Sequence, residues 1–193
     1  MSITHCIVFL LGFFMSPLQA SAKDEALFIT DPRIIAIPIA ENNDPLFDLK
    51  SQNIIKFGPS PEIPNNTEYT KMRQSVYDKL IEAQSMLPNG LNFCLYEALR
   101  SISLQEKLFT ERYSKVKNSN PTWNDHELFL DGALSVTNST KISIEAQENR
   151  KIMNAVLSKV GFVNYATEYW HWSYGDRYWA YYKDEPYALY GSV

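Results

Sequence analysis

The sequence predicts an α+β fold, a single domain with a small antiparallel sheet flanked by helices. Three observations lead there. Apolar residues recur at spacings of three and four in two long stretches, Tyr69, Met72, Val76, Leu80, Ala83 and Leu87, then Leu104, Leu108 and Tyr113, which is the period of a half-buried helix. Short apolar stretches bounded by turn residues, Ile34 to Ile37 and Leu91 to Leu99, read as strands. The chain has 193 residues, 45% hydrophobic and 21% charged, enough for one packed core and unlike a disordered or fibrous composition.

Taken in order, Met1 to Ala22 holds the apolar run Ile7 to Met15, then Pro17 and the small triplet Ala20-Ser21-Ala22. This reads as a secretory signal cleaved after Ala22, with the domain proper over 23–193, export to the periplasm, and no stable membrane insertion once the signal is removed; an uncleaved anchor is the alternative. Its n-region carries only the amino terminus and His5. Cys6 would leave with it, so Cys94 would be the one mature cysteine, unable to form an internal disulfide and expected as a small core residue.

From Lys23 to Pro64 the chain is rich in Pro and Asn, and an extended lead-in is predicted with one edge strand, Ile34 to Ile37, set between Pro32 and Pro38. Asn66 caps a predicted helix from about Thr67 to Leu87, which Pro88-Asn89-Gly90 ends. Leu91 to Leu99 then suits a buried strand, and a second helix is predicted from Ser103 to Lys117. Asn120-Pro121-Thr122-Trp123-Asn124 breaks it, with a short helix expected over Asp125 to Leu130 and a small polar stretch over Gly132 to Lys141. Ser143 caps a third helix whose first turn holds Glu145, favourable to the helix dipole, and Gly161 fits the position after its end. From Phe162 onward aromatic and polar residues alternate as in strands and turns. No internal repeat or low-complexity tract interrupts the pattern.

A net charge of -4 and a pI near 5.4 supply no basic field for a phosphate backbone, so nucleic acid is not an expected partner. Aromatic residues crowd one place instead: Tyr165, Tyr169, Trp170, Trp172, Tyr174, Tyr178, Trp179, Tyr181 and Tyr182. Beyond Ala22 the only histidines are His126 and His171, so any histidine-based chemistry must use them. Glu168 and His171 stand three apart among those aromatics. On a regular strand they would face opposite sides, so one site can hold both only where the chain bends. Such a pair also fits a hydrogen-bonded polar couple beside an aromatic core.

The run from Glu168 through Tyr169-Trp170-His171-Trp172-Ser173-Tyr174-Gly175-Asp176-Arg177 to Tyr181 resembles the C-terminal signature of the zinc-dependent D-alanyl-D-alanine dipeptidases. Asn92 to Ser101 resembles that family's strand-to-helix segment with its arginine, here Arg100, and Asp31 to Pro38 and Glu145 to Arg150 are similar to further family segments. The resemblance implies a zinc peptidase that cleaves the D-Ala-D-Ala dipeptide in peptidoglycan metabolism. It implies His171 as a Zn2+ ligand, Glu168 as the carboxylate that takes the water's proton and passes it to the leaving amine, and Arg100 as the guanidinium that stabilises charge on the carbonyl oxygen. For Arg100 a surface ion pair is the alternative.

One departure stands out. The family's other two ligands are a His and, seven residues later, an Asp, in a Gly-containing segment between the second and third long helices. Here that interval, Asp131 to Ile142, has no His and is short by several tens of residues. His126 and Asp131, five apart, would stand about 140° apart on a helix, at roughly 100° per residue, and would not face one metal. Three readings follow: an active zinc dipeptidase or D,D-carboxypeptidase-like hydrolase, a catalytically silent relative that binds D-Ala-terminated peptides, or a shortened product that folds poorly.

Overall fold

A computed structural model describes residues 26–59, 68–123 and 134–192. The first helix, α1 (Pro32–Ile35), stands where the sequence suggested an edge strand. Local chemistry decides this. Asp31 accepts a hydrogen bond from the Arg33 backbone N–H at 2.9 Å, and Pro32 occupies the first turn, where its missing N–H costs nothing. The Arg33 side chain closes on the same carboxylate and holds the Asp31 carboxyl down to about 2. Ile34 points inward and is buried.

Strand β1 (Leu46–Asp48) pairs antiparallel with β3 (Lys71–Arg73), Phe47 opposite Met72. The helix expected from Thr67 therefore starts later, as α2 (Gln74–Ser85), after a single 3-10 turn over Glu68–Thr70; Asn66 lies outside the described residues. Tertiary pairing overrides helical periodicity here. The fully buried Thr70 donates its hydroxyl to Asp48 Oδ1 at 2.8 Å, Gln74 N–H donates to Pro45 O, and Phe47 stacks on Tyr77. Leu49, Ile55 and Met72 are buried beneath this pair, against Val76 and Leu80 of α2.

Strand β2 (Lys56–Phe57) pairs in parallel with β4 (Cys94–Leu95), so only two residues of the expected Leu91–Leu99 strand are in a ladder. Cys94 is exposed, which corrects the expectation of a core thiol. The alternation of a strand explains it: Phe93 and Leu95 both pack on the core side, which turns the residue between them outward. Strands β5 (Val163–Asn164) and β6 (Trp172–Ser173) form an antiparallel pair. Among the described residues the strands thus form three two-stranded pairs, two antiparallel and one parallel, within the α+β class.

Helix α3 (Ile102–Ser119) is capped by Ser101, which accepts from Leu104 N–H, and it stops at Asn120 before Pro121. Val116 is its buried contact, and the short helix expected over Asp125–Leu130 lies outside the described residues. Helix α4 (Ile144–Lys159) follows the sequence reading closely: Ser143 accepts from Ala146 N–H, Glu145 sits in the first turn, and Gly161 at φ 102 takes the left-handed position after its end. Its Val156 and Leu157, with Val160 and Phe162, close on Ala83 of α2 as the main core.

The last helix, α5 (Arg177–Lys183), replaces part of the strand-and-turn pattern expected beyond Phe162. Asp176 caps it through Trp179 N–H at 2.8 Å, and Tyr178 and Tyr182, four apart, pack tilted on one face with ring centroids 4.7 Å apart. The chain then returns to its own beginning: Ala188 bridges Ile39 in parallel, Arg177 donates to Ile37 O, and Leu27 N–H donates to the Tyr182 hydroxyl. No helix among the described residues is long and apolar enough to cross a membrane.

Candidate functional site

Glu168 and His171 lie in the loop that joins β5 to β6. The chain reverses inside that loop, because Glu168 N–H donates to Tyr165 O at 2.8 Å, His171 N–H to Glu168 O at 3.0 Å and Tyr165 N–H to His171 O at 2.9 Å. Asn164 braces the turn from below, its amide donating to the carbonyls of both Glu168 and His171. The bend that three-residue spacing demanded is therefore present. It brings Glu168 Oε2 to 3.1 Å from His171 Nδ1, with the two side chains 39% and 37% exposed.

An ionised carboxylate oxygen only accepts, so this contact puts the imidazole proton on Nδ1 and leaves the lone pair of a neutral ring on Nε2. That is the orientation in which a histidine ligates a metal or takes a proton while a carboxylate holds its other nitrogen. The edge of Tyr165 rests on the His171 ring at 5.3 Å. Burial, the largest influence, pushes the Tyr165 phenol above its ordinary range, so it stays neutral beside the pair.

A second layer supports the loop from the turn that precedes α4. Thr137 N–H donates to Ala166 O and Tyr169 N–H donates to Ser135 O, while the Thr137 hydroxyl donates to the Asn164 side-chain oxygen. From residue 134 onward, the interval that runs to Ile142 is thus a series of turns stitched to the Glu168 loop. The Arg150 guanidinium lies over the Tyr169 ring at 3.7 Å and donates Nη1–H to Val136 O at 2.8 Å. Asn164 and Thr137 escaped the sequence reading; their only mark there is polarity within an otherwise aromatic, small-residue setting.

Arg100 stands apart from this loop, on the segment between β4 and α3. Its Nη2–H donates to Glu97 Oε2 at 2.5 Å and its Nη1–H to Gln105 Oε1 at 2.8 Å. The Arg100 side chain is 31% exposed and that of Glu97 10%, so the ion pair is half-buried. The bonds described for Arg100 are local, while Glu168 and His171 bond to each other and to their own loop.

Catalytic zinc takes three protein ligands. Among the described residues no group of three His, Cys, Asp or Glu side chains comes together. His126 and Asp131 lie outside the described residues.

Residues 131–189 match the family model described as D-ala-D-ala dipeptidase. This segment, well under half of the chain, is similar to the D-ala-D-ala dipeptidase family. Within the dipeptidase match fall Glu168, His171, Asn164, Arg150 and the turn that braces them, whereas Arg100 falls outside it. The hydrogen-bonded pair thus sits inside the segment that is similar to a peptidase family. Searches of curated proteins and of solved structures gave no match.

Proposed function

We propose that the chain hydrolyses short peptides that end in D-alanine, the D-Ala-D-Ala dipeptide first among them, as part of cell-wall metabolism outside the cytoplasm. The observation that carries this reading is the Glu168–His171 contact at 3.1 Å inside the dipeptidase-matched segment. Glu168, 39% exposed, is open to water, so its carboxylate can accept the proton of an attacking water and return it to the departing amine. His171 would be a Zn2+ ligand, and Arg100 would stabilise charge on the carbonyl oxygen. The signal-like Met1 to Ala22 supports export to the periplasm.

A second reading, a silent relative that binds D-Ala-terminated peptides without cleaving them, is favoured by one observation of the sequence: the interval Asp131 to Ile142 holds no His. Release of free D-alanine from D-Ala-D-Ala by the purified chain with added zinc tests both, with Glu168→Ala as control and His126→Ala and Asp131→Ala as further arms. Release that the control abolishes supports hydrolysis, and loss in either further arm identifies a remaining ligand. Release no greater than in the control, alongside saturable dipeptide binding, establishes the silent binder.

A further inference from the structure

Between the turn over 137–140 and the exposed side of α4 runs a groove of about 540 Å³, within the size range of small-ligand sites. Neither Glu168 nor His171 lines it, and neither does any carboxylate. Its wall is instead hydroxyl, amide and cation: Thr137, Thr140, Gln147, Arg150, Lys151 and Asn154. We infer that this groove binds the oxyanion of a small ligand, a carboxylate or a phosphate, with Arg150 as the recognising cation.

Arg150 carries the argument because it is already oriented. Stacking on Tyr169 at 3.7 Å fixes the guanidinium plane, and donation to Val136 O at 2.8 Å fixes its rotation within that plane. A guanidinium has five N–H donors, and among the described residues the remaining ones of Arg150 have no protein acceptor. A planar fork held in place with donors to spare is matched by a two-oxygen anion, and little side-chain freedom is left to lose when one binds. Lys151 adds positive charge, although its exposed pairing with Glu148 at 2.7 Å offsets part of it. The buried Thr137 ties the groove to the dipeptidase loop through Asn164, so an occupant here would press on the support of Glu168 and His171 without touching them.

The test titrates the purified, isotope-labelled chain with N-acetyl-D-alanine and, separately, with inorganic phosphate, following the Arg150 side-chain Nε–H resonance together with calorimetric affinity. Saturable binding that moves this resonance is expected. Arg150→Gln should weaken it about tenfold or more, as loss of a charge-assisted bond would. Asn154→Asp brings a like charge to the groove and leaves both Arg150 contacts in place, so it should weaken binding several-fold even where Arg150→Gln disturbs the fold. Glu168→Gln should leave the affinity unchanged. Saturation by only one of the two anions supports the inference and names its source, a peptide carboxylate or a phosphate. Binding of neither, or binding that Glu168→Gln abolishes while Asn154→Asp leaves it intact, overturns it.

Discussion

Glu168 Oε2 lies 3.1 Å from His171 Nδ1, and the backbone between them makes that contact, since the N–H of His171 donates to the carbonyl of Glu168. Side chain and main chain thus join the same two residues, so the carboxylate meets a fixed face of the imidazole.

If the pair performs proton transfer, Glu168→Gln should reduce D-alanine release about 100-fold to 10,000-fold. Both side chains are more than a third exposed, so unfolding free energy should move by less than about 0.5 kcal/mol. Steady-state rates and urea titrations on the same preparations separate the two effects.

Asn164 accepts from Thr137 and donates to two carbonyls of the loop. Asn164→Ala should leave those groups without partners and destabilise the chain by roughly 1–3 kcal/mol, with lower activity as the Glu168 loop loosens. An unchanged urea midpoint would refute this bracing role.

Gly175 has φ 74, and a Cβ there would meet a Tyr190 ring carbon at 2.3 Å. Gly175→Ala should therefore cost more than about 1 kcal/mol, from the left-handed backbone and the displaced ring together. Thermal melts of Gly175→Ala alone and combined with Tyr190→Ala would show partial recovery in the double variant.

Burial, foremost, with the neighbouring Tyr182 hydroxyl, pushes the Tyr178 phenol well above its ordinary range. A folded value raised above the unfolded one means stability that is full below about pH 10 and declines as pH climbs past it, because the unfolded chain gives up the proton more readily. The urea midpoint should hold steady up to about pH 10 and fall above it, and Tyr178→Phe should flatten that fall.

Capping and helical period were legible in the sequence, as Ser143, Glu145 and Gly161 around α4 demonstrate, because a cap is decided by a few neighbouring residues. Long-range pairing was not. The start of α2 is displaced by the union of β1 and β3, whose partners are some 25 residues apart, and no local spacing encodes that choice. Helix α1 could have been read from Asp31-Pro32, a cap followed by a first-turn proline, had the apolar run not suggested a strand. At the site, the three-residue spacing of Glu168 and His171 correctly called for a bend, and that bend is present. The support from Asn164, Thr137 and Arg150 was hidden, since it depends on which turn packs against which loop.

The bridge between Ile39 and Ala188 fastens residues near the two ends of the described chain to each other, with Ala40 N–H donating to Ala188 O and Ala188 N–H to Pro38 O. A protease that clipped the backbone between Pro186 and Ala188 would therefore loosen two strands of contact with one cut. Nicked protein should then open the stretch from Pro38 to Ala40 to digestion along with its tail, while the bonds of Leu27 to Tyr182 and of Arg177 to Ile37 hold the residues before it.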